Sequence, residues 1–417
     1  MGRRFPGWWT GLALTILAGA GSGEATAQAA PTLPEVLATA LAHNPDVLTA
    51  RAAVDSAAAE RRIARALPNP ALSASPNSPY QYGVSLPVDL GPTRIYRTRA
   101  SGAGHLAALQ ELADVVRQTS FAVRQAFYDI LLAEEQRSVT IEEADIFRQL
   151  LAADSVRLKA GDIPPHDVTK SLLELARAEA AVAASGARVR HTRLALQSLM
   201  GLTQPDTGFR VTGSLAFQDL QLPGDSLLTV ANTERPDLQA ARARLAQSQA
   251  LRSLASSALL PTPTLSLVWQ PDGPFEPPTF WTVGAARKLS FGLGLTIPLF
   301  DQFGGERQRA QAGIDAAQVA ETRTENAVLS EVVTAKDAFD AARSLAARYQ
   351  GGLLDAAARS LAEARYAYDA GALSLLDLLD AIRTYGEVRS DAATALHDYW
   401  VSVAALMRAA GKDIAPE

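Results

Sequence analysis

The chain has 417 residues, with 39 Lys and Arg against 44 Asp and Glu and a formal net charge of −5. That mild acidity, with no basic stripe, excludes a nucleic-acid-binding surface. Cysteine is absent, which removes disulfides, thiolate metal sites, cysteine nucleophiles and an acylated lipoprotein anchor together.

At the N-terminus, Gly2, Arg3 and Arg4 form a short basic region, residues 11–20 a short apolar one, and Ala25-Thr26-Ala27 a small-residue cleavage pattern. This layout predicts a cleaved signal peptide over residues 1–29, because the apolar run is too short to span a bilayer. Beyond it no run is long enough for a transmembrane helix, so any membrane entry is expected to be by strands.

The rest of the chain reads as one unit written twice. Asn44-Pro45-Asp46 returns as Arg235-Pro236-Asp237, and Leu67-Pro68-Asn69-Pro70 as Leu260-Pro261-Thr262-Pro263. Gly83 to Pro87 returns as Gly294 to Pro298, Ala160-Gly161 as Ala370-Gly371, and Leu196 with Gly201 as Leu406 with Gly411. Five matches in one order, at separations of 191 to 211 residues, indicate a tandem duplication. The expected parts are a first repeat over 30–201, a turn-rich linker over 202–222, a second repeat over 223–411 and a tail over 412–417.

Each repeat opens with a helical stretch, 34–66 or 225–259. A strand pair follows, near 71–89 or 264–299, then a long helix, 94–159 or 305–369. A Gly turn near 161 or 371 leads into a returning helix, 166–200 or 375–410. About 65 residues of helix reach roughly 100 Å, and such helices persist only when packed along their length. Aromatics are only 6% of the chain, and alanine crowds these stretches, as close-packed helices require. In the last helix Leu375, Leu378, Ile382, Tyr385, Arg389, Ala392, Leu396, Tyr399, Val403 and Leu406 keep heptad spacing, which predicts a coiled-coil seam. Val168, Leu172, Leu175, Val182, Val189 and Leu196 form the corresponding seam in the first repeat.

Along the strands, Tyr82, Val84 and Leu86 alternate with Gly83, Ser85 and Pro87. Leu289, Phe291, Leu293, Leu295 and Ile297 alternate with Ser290, Gly292, Gly294 and Thr296. Apolar residues on one face and small or polar ones on the other are the pattern of a membrane β-barrel, with the apolar set against lipid. Four strands cannot close a barrel, and lipid does not tolerate open edges, so oligomerisation follows from that assignment.

This duplicated plan resembles the TolC family of outer-membrane efflux ducts over nearly the whole mature chain. The resemblance is carried by Asn44-Pro45-Asp46, by residues 67–72, by residues 295–300 and by the run from Tyr368 to Ala381. It implies a mainly α fold of long coiled-coil hairpins plus four transmembrane strands. Three chains would together form a homotrimer with a twelve-stranded β-barrel and a periplasmic α-barrel. It also implies outer-membrane lipid around the strands and, as partners, a periplasmic adaptor (membrane fusion) protein and an inner-membrane pump of the RND type. The Pro68-Asn69-Pro70 entry and the Ser374 to Asp380 tip resemble ducts of heavy-metal cation systems most closely.

The turns Ala160, Gly161, Asp162 and Ala370, Gly371, Ala372, Leu373, Ser374 are expected at the periplasmic tips, where the resemblance places adaptor docking. Ser374 and Asp377 also read as a helix cap. Asp377 and Asp380 share one helical face, and by resemblance they form acidic rings at the pore constriction, with Asp167 and Tyr368 at latch positions. A latch arginine of part of the family is replaced here by Leu373.

No enzyme is expected. The histidines at 43, 105, 166, 191 and 397 have no metal-ligand spacing, and nucleophile elbow, Walker and dinucleotide motifs are missing. Neither metal nor cofactor is expected. The competing reading is a periplasmic coiled-coil adaptor or scaffold, which four lipid-type strands disfavour.

Overall fold

A computed structural model of the chain describes residues 30–75, 80–89, 91–220, 224–271 and 289–412. The expected signal peptide, and the tail beyond residue 412, lie outside the described residues.

The first repeat runs α1 (Leu33–His43), α2 (Pro45–Arg65), β1 (Ala71–Ser75), β2 (Gln81–Pro87), α3 (Pro92–Ala160) and α4 (Pro165–Leu199). The second runs α5 (Gly224–Glu234), α6 (Pro236–Ser257), β3 (Thr262–Trp269) and β4 (Leu289–Thr296). It continues with α7 (Gly304–Arg348), α8 (Leu354–Asp369) and α9 (Leu375–Ala410).

The opening helical stretches, expected to be single helices, are each split at the motif that repeats. Asn44 and Arg235 precede prolines and are extended, with ψ of 130° and 122°, because the pyrrolidine ring disfavours the α region in the residue before it. Each of the two then ties its joint to the end of the returning helix. Asn44 caps α2 by accepting from the Asp46 and Val47 amides, while its Nδ2 donates to Leu199 O at 2.9 Å. Arg235, 1% exposed, donates to Ala409 O, to both Asp237 oxygens and to Glu331. Glycine follows each returning helix with φ of +70° (Gly201) and +75° (Gly411), where a Cβ would collide with the His43 backbone or with Arg235. The repeated sequence signature is therefore a pair of buried joints.

The long helices depart from expectation in one place. α3 is continuous, but its counterpart breaks at a π turn over Tyr349–Leu353, where Gly351 and Gly352 are non-helical and Gly352 has φ of 109°. α9 buries the predicted seam at Leu375, Leu378, Ile382, Ala392, Tyr399, Val403 and Leu406. Arg389, its polar member, bridges Glu135 and Glu142 of α3. In α4, Leu175, Val189 and Leu196 are buried, whereas Leu172 is 53% exposed. The seam expected there is only partly filled, with α3 the main neighbour of α4.

The helices pack side by side, and near the tips the two hairpins also close on each other, with Asp154 of α3 bonding both Ser171 of α4 and Tyr368 of α8. Below the strands the order is α2–α3–α6–α7, and towards the hairpin tips it is α4–α3–α9–α8. The linker is not loose: Trp400 Nε1 donates to Ala216 O and Tyr399 packs on Phe217, so residues 215–220 lie against α9.

Among the described residues, four strands form one antiparallel sheet in the order β1-β2-β3-β4, with β1 and β4 at its edges. Leu72, Val84, Leu267 and Phe291 stand opposite one another across the sheet, as do Leu86, Leu265 and Leu293. Directly paired residues share a face, so one face is apolar and the other holds Ser73, Ser85, Ser266, Gly83 and Gly292.

Candidate functional site

Two regions are candidates for function: the hairpin tips and the sheet face.

At the tips, α3 and α8 end in the same device. Gly161 (φ 85°) donates to Leu158 O and Asp162 to Arg157 O; Gly371 (φ 72°) donates to Tyr368 O and Ala372 to Ala367 O. This Schellman closure needs a left-handed residue, which glycine supplies without a Cβ penalty. Ala160, Gly161, Asp162, Ala370, Gly371, Ala372 and Ser374 are all exposed. Leu373 instead packs into the apolar cluster of Leu375, Leu378, Phe147 and Leu150. The residue in the arginine position is thus a hydrophobic anchor for the turn.

Asp377 is part of the helix cap. Its amide donates to Ser374 Oγ at 3.3 Å, and Ser374 Oγ donates to Asp377 Oδ2 at 2.6 Å. Its carboxylate is still exposed, as is that of Asp380 one turn on. Both carry negative charge towards the tip, and Asp380 helps to raise the affinity of Arg383 for its proton, behind the stronger effect of Glu174.

Tyr368 belongs to a buried knot that sequence reasoning missed. Its hydroxyl donates to Asp154 Oδ1 at 2.7 Å, and Ser171 Oγ donates to Asp154 Oδ2 at 2.5 Å. Asp154 and Ser171 are 0% exposed and Tyr368 6%. The Arg157 guanidinium lies 4.9 Å from the centre of the Tyr368 ring, a favourable cation–π distance. Burial pushes the Tyr368 phenol well above its usual range, reinforced by Asp154 and, more weakly, by Asp167. The knot joins α3, α4 and α8, so it ties the first hairpin to the second. Asp167 is half-buried at the start of α4 and acts on Tyr368 only through its charge. The available signal was an acid in phase with the buried positions Phe147 and Leu150 of α3.

Further up, His397 of α9 bridges Asp129 of α3 at 2.8 Å and Asp398 at 2.9 Å. Burial opposes its charge, but the hydrogen bonds to both carboxylates outweigh it and raise its proton affinity. Its ring nitrogens face opposite ways, so the three groups do not converge on a metal. Among the described residues no group of three or more His, Asp or Glu does.

The apolar sheet face presents Tyr82, Val84, Leu86, Phe291, Leu293 and Leu295 exposed, with Leu289 half-buried and Ile297 one residue beyond β4. The Tyr82 and Trp269 rings pack with centres 5.5 Å apart, tilted by 32°, at the end away from the helices. The band from Leu289 to Ile297 covers eight residue steps. At roughly 3.4 Å each and a tilt of about 40°, it stands roughly 20 Å tall, near the apolar height of outer-membrane barrels. Among the described residues no helix is long and apolar enough to cross a membrane.

Comparison with known proteins agrees with this geometry. The sequence profile of the outer membrane efflux protein family matches residues 36–202 and 227–412, one block for each repeat. The cobalt-zinc-cadmium resistance protein CzcC of Cupriavidus metallidurans is 28% identical over 366 residues, covering 86% of this chain and 84% of that protein. The Campylobacter jejuni CmeC outer membrane channel superposes with a TM-score of 0.77 at 17% identity, covering 98% of this chain and 94% of that one. The MtrE outer membrane channel of Neisseria gonorrhoeae, in its open state, gives 0.75 at 20% identity, covering 92% and 89%.

Proposed function

The chain belongs to the outer membrane efflux protein family, and on that premise we propose that three copies form the passive exit duct of a tripartite efflux system. The observation that carries this is the pair of matching edges. The sheet and the upper helices each stand in an open row that begins with a first-repeat element (β1, α2) and ends with a second-repeat one (β4, α7). A head-to-tail contact between such edges closes into a ring when the rotation allows it. Three copies give twelve strands, enough for a barrel without edges in lipid. The lumen face of these strands is hydroxyl- and glycine-rich, which suits passage of hydrated solutes. A periplasmic adaptor reading is disfavoured, since the channel folds cover the sheet as well as the hairpins.

In this reading the signal peptide directs export and the hairpins cross the periplasm. The exposed turns at Gly161 and Gly371 dock the periplasmic adaptor protein, and an inner-membrane pump of the RND type supplies the energy. The knot of Asp154, Tyr368 and Ser171 holds the tips together in the closed state. Asp377 and Asp380, six carboxylates in a trimer, favour cations at the neck. That charge, with the likeness to a cobalt-zinc-cadmium resistance protein, supports divalent metal cations as the exported class.

Outer-membrane fractionation, an unheated gel and planar-bilayer recording test the reading together. A heat-labile trimer in the outer membrane with cation-preferring conductance is expected. A soluble monomer would overturn it.

A further inference from the structure

The two repeats meet inside one protomer, along a junction that prefigures the one between protomers. β2 pairs antiparallel with β3, with Leu86 opposite Leu265 and Pro87 opposite Thr264. Just below, the Val88 amide donates to Pro263 O at 2.8 Å. Each partner has an equivalent on an edge strand. Gly83 to Pro87 of β2 corresponds to Gly294 to Pro298 at β4, and Leu260 to Pro263, at the start of β3, corresponds to Leu67 to Pro70 before β1.

Substituting each residue by its equivalent converts the internal register into an external one. Resting on the trimer reading above, in which β4 of one protomer pairs antiparallel with β1 of the next, we propose the register of that pair, with Thr296 opposite Ser73 of the partner subunit. Pro298 then stands opposite Ala71 of the partner subunit, and the Leu299 amide donates to the carbonyl of the partner's Pro70, as Val88 does to Pro263.

The faces agree with this register. Ser73 and Thr296 both lie on the hydroxyl-bearing face, whereas Leu72 meets Ile297 and Ala74 meets Leu295 on the apolar face. A slip of one residue would set apolar against polar along the whole edge. A slip of two preserves the faces and is the real competitor. The hairpins themselves differ by that amount: Ala71 pairs with Ser85, while its equivalent Thr264 pairs with Gly294 and not with Thr296. The junction is assigned by the motifs that flank it on both sides, and the alternative would place Gly294 opposite Ser73.

Cysteine cross-linking separates the two registers, and the chain contains no cysteine to confuse it. Thr296 and Ser73 would form a non-hydrogen-bonded pair, like Pro87 and Thr264, with Cα atoms about 4.5 Å apart. That falls within the disulfide range of roughly 4.4–6.8 Å. A Cβ at Gly294 meets Thr264 only at 3.9 Å, so cysteine fits there as well. The full-length Ser73→Cys/Thr296→Cys variant, oxidised in outer membranes, should run as a covalent trimer on a non-reducing denaturing gel. Its yield should exceed that of Ser73→Cys/Gly294→Cys several-fold, and reductant should abolish it. A reversed ratio overturns the register. So does the failure of both pairs to link while the unheated gel still shows a trimer. Only monomer on the unheated gel would bring down the trimer reading itself.

Discussion

Removing the Tyr368 hydroxyl tests the buried knot at the tip. Tyr368→Phe takes away an oxygen and little volume, and leaves Asp154 fully buried with Ser171 as its remaining hydroxyl donor. A hydrogen bond to a charged group contributes about 1.5–3 kcal/mol, which is roughly a 10- to 150-fold change in a local opening equilibrium. Hydrogen exchange at the amides of α8 should show that loss of protection, while the upper helices exchange as in wild type. If the knot holds the tips closed, the resting conductance of the trimer in planar bilayers should rise. Replacing the whole knot, as Asp154→Leu/Ser171→Ala/Tyr368→Phe, should destabilise less than Tyr368→Phe alone, because no buried carboxylate is then left short of a donor. The sign of the pH effect is also set. The raised phenol pKa means that this contribution is present below the ordinary tyrosine value near 10 and is lost as pH rises through the folded one. The phenol itself should therefore add no pH dependence to closure below about pH 9. An unchanged exchange rate in α8 together with unchanged conductance would refute the argument.

Leu293, 65% exposed at the centre of the apolar face, should not tolerate arginine: Leu293→Arg is expected to cost roughly 2–4 kcal/mol at the bilayer midplane and lower trimer yield. Ser290→Arg, on the opposite face, should assemble nearly as wild type, and equal behaviour of the two would sink the lipid-face assignment. The Asp377→Asn/Asp380→Asn variant should lose cation preference and divalent block in single-channel recordings, with folding little changed because asparagine is also accepted near helix starts. Unaltered selectivity would reduce Asp377 to its observed role as a cap. His397 has a raised pKa, so its contribution to the α3–α9 contact is full below the unfolded value near 6.5 and fades as pH rises through the folded one. Unfolding midpoints should accordingly fall with rising pH more in wild type than in His397→Asn, and parallel pH curves would contradict this.

Much of the architecture was legible in the sequence because its determinants are local. Period-two alternation marked β2 and β4 within a residue or two, and heptad spacing marked the α9 seam. Glycine after a helical run marked both tips, since the left-handed closure depends on the turn residues alone. The duplication was legible too, although not its reason: Asn44 and Arg235 recur because each bonds a carbonyl at the end of a helix more than 150 residues away.

What only the tertiary structure decided are the features made by residues remote in sequence or by which helices come to lie beside one another. Asp154 and Tyr368 are 214 positions apart, and nothing around Asp154 marks it except an acid in an apolar phase. Leu172 keeps its heptad spacing yet stays exposed, because spacing alone cannot say whether a neighbour covers a given position. Gly351 and Gly352 break the second long helix, while Gly102 and Gly104 leave α3 continuous. Glycine permits a break without requiring one, and packing on either side decides. Hydrophobic period and turn chemistry thus specify each element and its buried face. Which faces meet, and which acids end up without water, depends on how the elements pack together.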